Sequence, residues 1–479
     1  MSKTQPARGM RDFLPADIRK RNYVIGIIKK VYESYGFEPL ETPAVENLET
    51  LTGKYGEEGN QLMFRILKRG EKLDISQGEK GLADLALRYD LTVPLARVVA
   101  NYKNELPRFF KRYQIQPVWR ADRPAKGRFR EFYQCDVDAI GSSSMMVEAE
   151  LISAVCEILQ RLGFTDYKIR INHRKLLTGI LDVVGVPKNY HIDALVELDK
   201  LDKIGSEGVL NGLMGKGISE KEGEALIFMF KRLSMAPTML SIFDEQNKIS
   251  EFSEDLRYKI HKDSLIGSLE KAREILSGSK DVQEAISDLI GIVNLITSEK
   301  VISTIQPDPS LARGLSYYTG TIMEVNVPDF AGSLTGGGRY DGLIGMFGKD
   351  AIPACGLSIG LERILYVMEE RGMFDKLIAE GRLKADSADV LVTVWDEKTV
   401  GESLKLANEL RSNGLRVLVY PEADKLGKQF KYADSIGIKT AIIMRDEEIA
   451  ENKVKVKNLQ TSEEETFARE EIAEKIKSR

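Results

Sequence analysis

Residues 109–141 read FFKRYQIQPVWRADRPAKGRFREFYQCDVDAIG, two strand-like runs joined by a basic loop. Alternate residues of a strand share a face, so between Glu131 and Ile140 the side chains of Phe132, Gln134, Asp136 and Asp138 point one way and those of Tyr133, Cys135 and Val137 the other. One face is apolar; the other carries an amide and two carboxylates. The loop Ala121 to Gly127 separates the strands, and from Arg108 to Arg130 eight Lys or Arg accompany the single acid Asp122. A floor of acceptors beside a basic wall suits a small cation bound next to a polyanion. A solvated hairpin face is the plain alternative.

A chain of 479 residues is too long for one core and implies two or three domains. Its 43% hydrophobic content is enough to build them, and a net charge of −4 with a pI near 5.8 excludes a globally basic nucleic-acid coat. Any nucleic-acid contact must come from local patches such as the hairpin. No run of about 18 apolar residues occurs, and MSKTQPARGMRDF has no apolar signal core, so a soluble, cytoplasmic protein without a membrane partner is expected. Cys135, Cys156 and Cys355 form no CxxC pair, which speaks against a disulfide framework or structural zinc. The histidines, His173, His191 and His261, stand in separate segments and match neither a Ser/His triad nor an HExxH site. Chemistry here would run on carboxylates, arginines and the substrate's own groups, with no metal held by protein ligands alone.

In chain order, Asp17 to Tyr35 carries a helical stripe at Ile25, Ile28, Tyr32 and Tyr35. Pro39 and Pro43 make Gly36 to Val45 an edge or interface strand. Leu87 to Val93 reads as a short stretch stopped by Pro94; Asp90 and Thr92 share a face if it is extended, but the local sequence favours an exposed turn carboxylate for Asp90. Helix over Met145 to Leu162, strand over Tyr167 to Asn172 and helix over Arg174 to Val183 follow. Pro187 to Ser303 is charged and helical, an inserted module. Leu311 to Val327 is a glycine turn running into an alternating strand, and the glycines Gly336 to Gly338 allow close backbone approach. Cys355 to Met368 reads as a helix with Gly356, Gly360 and Arg363 on one face. After the charged connector Arg371 to Ser387, strands at Asp389 to Val394, Leu415 to Tyr420, Lys439 to Met444 and Val454 to Leu459 alternate with helices at Thr399 to Ser412 and Asp424 to Ile436. That alternation implies a parallel-rich sheet covered on both faces. Lys425, Lys428, Gln429, Lys431 and Tyr432 place donors and a ring together, which fits single-stranded RNA or a solvated helix face.

Three segments resemble the signatures of class II aminoacyl-tRNA synthetases: the strand around Pro43, the hairpin VWRADRPAKGRFREF and the segment GLSIGLERI. RGLSYYTG and GGGRYDGL narrow the resemblance to the histidyl-tRNA synthetase family, whose pattern is RGLDYYTG followed by GGRYDGL. The form CDVD after the hairpin and the segment LRYDLT resemble the eukaryotic-type branch. The resemblance implies an α+β catalytic domain built on an antiparallel sheet (residues 1–186 and 304–370), a helical insertion (187–303), a connector (371–387) and a C-terminal three-layer α/β anticodon-binding domain (388–479). It also implies a homodimer formed through the Pro43 region. The implied partners are L-histidine, ATP and histidine tRNA, with Mg2+ arriving on ATP.

By the same resemblance Arg120 and Arg313 are the catalytic pair at the α-phosphate. Asp122, Arg128, Phe132 and Arg363, with Arg120, hold ATP. Asp90, Thr92 and Gln134 hold the α-ammonium of histidine, Asp138 and Tyr318 bracket its imidazole, Tyr317 and Tyr340 complete the pocket, and Arg120 and Arg313 also reach the amino acid. The loop residues Arg123 and Lys126, with Lys428, Gln429 and Tyr432, are the expected tRNA contacts. Ser316 stands where the family has aspartate. A competing reading is a catalytically inactive paralogue acting as a regulatory subunit or uncharged-tRNA sensor, because such relatives keep a fold while discarding parts of its site.

Overall fold

Proline at the first helical position needs no N–H partner, and Pro15 opens the helix Pro15–Ser34. Its buried stripe is Val24, Ile28, Val31 and Tyr32, turned slightly from the expected one, with Ile25 and Tyr35 only half-buried. The computed structural model describes residues 4–53, 56–198, 200–234, 252–312, 317–348 and 350–478, in two units that divide between Met373 and Phe374.

In the first unit the strands are β1 (Glu38–Pro39), β2 (Val45–Asn47), β3 (Arg65–Leu67), β4 (Ala83–Leu87), β5 (Phe110–Trp119), β6 (Glu131–Ile140), β7 (Lys168–His173), β8 (Ile305–Pro307), β9 (Thr321–Asn326), β10 (Thr335–Arg339) and β11 (Ala354–Gly360). Eight of them form one sheet in the order β1-β5-β6-β11-β10-β9-β7-β8; β2, β4 and β3 form a small sheet. The interior pairs from β5 to β7 are all antiparallel, and β1 and β8 add parallel at the two edges. The proline-bearing segment thus supplies an edge strand. β5 and β6 pair without a slip from Phe110 opposite Ile140 to Trp119 opposite Glu131. Between Tyr190 and Ser303 the described residues form helices, among them Leu201–Gly215, Glu254–Ile275 and Lys280–Leu295.

Two local expectations are corrected. The segment CGLSIG is strand β11, and the helix is Leu361–Glu370. Cys355, Leu357 and Ile359 alternate into the core while β6 and β10 pair on both sides, so sheet neighbours override the spacing that suggested a helix. Glycine is needed in this sheet for closeness: a Cβ on Gly356 would fall 1.9 Å from Oδ1 of Asp138, and one on Gly337 2.0 Å from the carbonyl of Gly356. The second correction concerns Pro94. It does not stop an element but sits in the first turn of the helix Thr92–Asn101, where its missing N–H is not needed.

The second unit holds β12 (Val390–Val392), β13 (Val417–Val419), β14 (Thr440–Ile443), β15 (Lys453–Asn458) and β16 (Glu464–Ala468) in the order β13-β12-β14-β15-β16. The first two pairings are parallel and the last two antiparallel. Leu406 and Leu410 of the helix Val400–Ser412 pack with Ile472 and Ile476 of the helix Ile472–Lys477 in one core. Ala433 of the helix Leu426–Ser435 packs with Leu391 and Ala441 in a second. Helices on both sides of the sheet give three layers, as expected. β16 and the last helix lie past the elements read from the sequence.

Candidate active site

The alternation of β6 separates its residues as expected. Cys135 and Val137 are fully buried, and the Cys135 carbonyl accepts from the hydroxyl of Tyr32 at 3.3 Å. Phe132, Gln134, Asp136 and Asp138 instead line a cavity of about 310 Å³. The same cavity is lined by Asp90, Thr92, Arg120, Asp122, Arg128, Tyr317, Tyr318, Tyr340 and Arg363. Every described residue expected to hold histidine or ATP therefore meets there, from segments as distant as the turn before residue 92 and the helix after residue 360. Arg313 and Ser316 lie outside the described residues.

At the amino-acid end, Asp138 is clamped from two sides. Nη2 of Arg112, directly opposite on β5, lies 2.7 Å from its Oδ2, and the hydroxyl of Tyr340 donates to its Oδ1. A carboxylate offers about four acceptor positions, so this clamp leaves capacity for a ligand. Burial raises Asp138 above the usual carboxylate range, with Arg112 and Tyr340 opposing. Burial pushes Asp136 up to about 7, with Asp138 and Asp90 adding to the rise and Arg112 and the Ser358 hydroxyl opposing it. The amide of Gln134 donates to Ser358 Oγ at 2.9 Å. Tyr317 and Tyr318 touch through their hydroxyls at 3.4 Å, and burial raises both phenols, which keeps them neutral donors.

Asp90 is neither exposed nor on an extended strand with Thr92. It is buried, and its Oδ1 accepts from the backbone N–H groups of Thr92 (3.1 Å) and Val93 (3.0 Å), capping the helix Thr92–Asn101. The local sequence allowed a turn, but only the sheet behind it buries the carboxylate.

At the basic end, Nε of Arg120 donates to the Tyr89 carbonyl at 3.0 Å, and its guanidinium lies 4.3 Å from the Tyr89 ring centroid and 5.2 Å from that of Phe132. The planar fork is held edge-on by a hydrogen bond and face-on by two rings. Arg128 pairs with Asp122 at 3.0 Å, and Arg363 donates to the Ser333 carbonyl at 2.6 Å. Arg123 and Lys126 are exposed on the loop.

In the second unit Lys428 pairs with Asp424 at 2.9 Å, and Tyr432, 40% exposed, meets Tyr420 edge-on at 5.5 Å. Gln429 must be withdrawn from the RNA contacts. It is fully buried, accepts from Val394 N at 3.0 Å and donates to the carbonyls of Val394 (2.7 Å) and Asp424 (2.6 Å). Its amide ties the segment after β12 to the helix, and its burial puts it out of reach of a nucleotide.

Sequence reasoning passed over several residues that shape the site. Arg112 counted only as one more basic residue, although its place two before Gln114 and four before Gln116 on a strand put it in an inward row. Tyr89 gave no signal beyond adjacency to Asp90. Asn172, fully buried, donates to the carbonyls of Pro309 (3.1 Å) and Leu311 (2.9 Å) and so holds the stretch that leads to Arg313. Glu362 pairs with Arg21 at 2.8 Å and accepts from Tyr133 N at 2.9 Å, which fixes the start of the helix that bears Arg363.

The histidyl-tRNA synthetase family profile matches residues 9–364, and an anticodon binding domain profile matches residues 389–479. The chain is 40% identical over 470 residues to histidine--tRNA ligase of Christiangramia forsetii, covering 95% of each chain. To that of Cytophaga hutchinsonii it is 38% identical over 488 residues, covering 99% of this chain and 100% of the other. The crystal structure of histidyl-tRNA synthetase from Nostoc sp. PCC 7120 superposes with a TM-score of 0.77 at 31% identity, covering 100% of both chains. These relatives are bacterial, so the eukaryotic-type branch expected from CDVD and LRYDLT finds no support. Matches of this extent, spanning both units and nearly the whole of each relative, make the chain a member of the histidyl-tRNA synthetase family.

Proposed function

We propose that the chain catalyses the ATP-dependent attachment of L-histidine to histidine tRNA through a histidyl-adenylate. The observation that carries the reading is the single cavity: an arginine-bearing end suited to a triphosphate opens into a buried acceptor end suited to histidine. A histidine carboxylate oxygen attacks the α-phosphorus, the bond to the bridging oxygen breaks, and pyrophosphate leaves. The acyl group then passes to the terminal ribose of the tRNA, releasing AMP.

Negative charge concentrates on the non-bridging oxygens during in-line attack, so a fork held in place beforehand stabilises the transition state more than the ground state. Arg120 fills that role, with Arg313 as its proposed partner. Arginine suits it because the planar fork binds phosphate in a bidentate way and stays protonated. Arg128 and Arg363 take the γ-phosphate end, Asp122 contacts ATP and Phe132 stacks on adenine. Asp122 and Glu324, both on the cavity wall, carry the oxygen donors that a hard cation takes; they would help to hold a magnesium ion arriving with the triphosphate, which would supply charge neutralisation for the departing pyrophosphate.

On the amino-acid side Asp90, Thr92 and Gln134 receive the ammonium, Asp138 and Tyr318 bracket the ring nitrogens, and Tyr317 and Tyr340 close the pocket. A buried site that hydrogen-bonds both nitrogens rejects other amino acids by about 10⁴ to 10⁵, since they leave its polar groups unpaired. Residues 1–186 and 304–370 form the catalytic domain, 187–303 lie over the acceptor arm, 371–387 connect, and 388–479 bind the anticodon. Arg123, Lys126, Lys428 and Tyr432 contact the tRNA. Dimerisation through the Pro43 region and a cytoplasmic location complete the proposal. Among the described residues no helix is long and apolar enough to cross a membrane.

The deciding assay is ATP/pyrophosphate exchange. Exchange that requires histidine, and no other amino acid, is the expected result; exchange without it, or none at all, removes the proposal.

A further inference from the structure

On the cavity face of β6, Gln134 gives its amide to Ser358, and Asp138 is held by Arg112 and Tyr340. Between them, Oδ1 of Asp136 meets no protein donor among the described residues, and neither does Oε1 of Gln134. Both residues line the cavity and both are more than nine-tenths buried, with exposures of 2% for Asp136 and 8% for Gln134. Ser358, directly opposite on β11, gives its hydroxyl to Asp136 but leaves Oδ1 open, and the other residue directly opposite is Gln114 on β5. Its amide is committed elsewhere, to Thr42 Oγ1 at 2.9 Å and Gln116 Oε1 at 2.7 Å. Arg112 is turned to Asp138, with further contacts to Gln114 at 3.3 Å and the Leu91 carbonyl at 3.4 Å. A buried acceptor that the protein leaves unsatisfied is tolerated where a ligand brings the donor.

The charge balance points to the kind of donor. Three carboxylates, Asp90, Asp136 and Asp138, act on one another here, and Arg112 is the cation that acts on the latter two. Asp90 is bonded to helix N–H groups and Asp138 to the guanidinium. Asp136 takes a hydrogen bond from the Ser358 hydroxyl, which leaves its Oδ1 to be matched by a positive group from the ligand.

We infer that Asp136 is a further histidine-binding residue, whose carboxylate, together with the side-chain carbonyl of Gln134, receives the α-ammonium group of the substrate. The inference rests on the histidine reading of this cavity and adds a contact to it. The groups acting on Asp136 set a pH dependence: Arg112 from β5 and the Ser358 hydroxyl from β11 favour its ionised form, Asp138 and Asp90 oppose it, and burial dominates, so the residue keeps its proton up to about pH 7. The phenols of Tyr32, Tyr317 and Tyr318 stay neutral across this range. Ammonium binding therefore strengthens as pH rises toward 7.5.

The test is calorimetric titration of the full-length protein with L-histidine, L-histidinol and 3-(imidazol-4-yl)propionate, the last lacking the amine. Asp136→Asn should weaken histidine and histidinol by about 10- to 100-fold, the worth of a charge-assisted hydrogen bond, and leave the propionate within about twofold. Equal weakening of all three ligands, or no weakening of histidine, overturns the inference. A second measurement compares wild type with Asp136→Asn. The preference for histidine over the propionate, taken as the ratio of wild type to variant so that titration of the ligands' own imidazoles cancels, should grow about fivefold or more between pH 6 and 7.5, following ionisation of a group with a pKa of about 7; a constant ratio overturns the inference as well. Wild type that binds the propionate but not histidine removes this contact alone, whereas wild type that binds none of the three removes the histidine reading itself.

Discussion

Arg112 and Asp138 face each other across adjacent strands, 2.7 Å apart, in side chains that are 0% and 4% exposed. Breaking such a pair from one side leaves a buried charge without compensation, at a cost of about 3–5 kcal/mol. Arg112→Ala should therefore lower the melting temperature sharply. Asp138→Ala should act mainly through histidine, raising its KM in pyrophosphate exchange far more than that of ATP. The double change Arg112→Met with Asp138→Asn should regain stability without regaining histidine affinity; calorimetry and exchange kinetics on the three variants check this.

Arg120 is oriented by the Tyr89 carbonyl and by two flanking rings. Arg120→Lys keeps the charge but loses the fork, and should reduce kcat for exchange by about 10²- to 10³-fold, the usual effect of removing one transition-state donor. Histidine and ATP affinities measured at equilibrium should change much less. A kcat within about threefold of wild type would remove Arg120 from the chemical step.

Gly356→Ala places a methyl group 1.9 Å from the Asp138 carboxylate oxygen, so the carboxylate or the strand must shift. Histidine binding should weaken by about tenfold or more, since hydrogen-bonding sites lose affinity when a partner is displaced. The same titrations that measure histidine affinity for the Asp138 variants will show it.

Asp136 has a folded-state pKa of about 7, above the ordinary 3.8 it returns to on unfolding. A carboxyl raised in this way binds more protons folded than unfolded. Its contribution to stability is therefore complete below about pH 4 and is lost as pH rises through 7, at a rate of about 1.4 kcal/mol for each pH unit between the two values. Ligand-free wild type should lose stability as pH rises toward 7, and Asp136→Asn should flatten that decline. Thermal melts across the pH range give the answer; parallel curves for the two proteins would contradict it.

Gln429→Ala should behave as a core mutation of the C-terminal unit. It strips partners from the Val394 N–H and carbonyl, each costing about 1–3 kcal/mol when buried and unpaired. Lys428→Ala and Tyr432→Ala should leave the melt unchanged and weaken tRNA binding. Melting curves set beside filter-binding affinities for the three variants separate the roles.

Period-two alternation makes β6 legible, and with it the acceptor face. The helical periods of Pro15–Ser34 and Met146–Leu162 and the alternating elements after residue 388 are legible for the same reason, because a repeat encodes which side of an element faces the core. β11 misleads because its glycines at 356 and 360 fit a helical spacing, and only hydrogen bonding to β6 and β10 decides between the two periods. Gln429 misleads because a polar residue among lysines on a short helix looks exposed until the segment it binds, just after β12, is in place.

What the amino-acid order determined by itself is therefore local: which residues share a face, where elements begin, and a set of motifs distinctive enough to point to the synthetase family. Tertiary structure alone decided which faces meet. Arg112 meets Asp138 because β5 and β6 pair in one register out of many; Asp90 gains two backbone donors because a helix starts beside it; Oδ1 of Asp136 lacks a protein donor because Gln114 is engaged with Thr42 and Gln116. Each is a relation between segments brought together by burial, and side-chain periodicity within one segment carries no information about its neighbour's register.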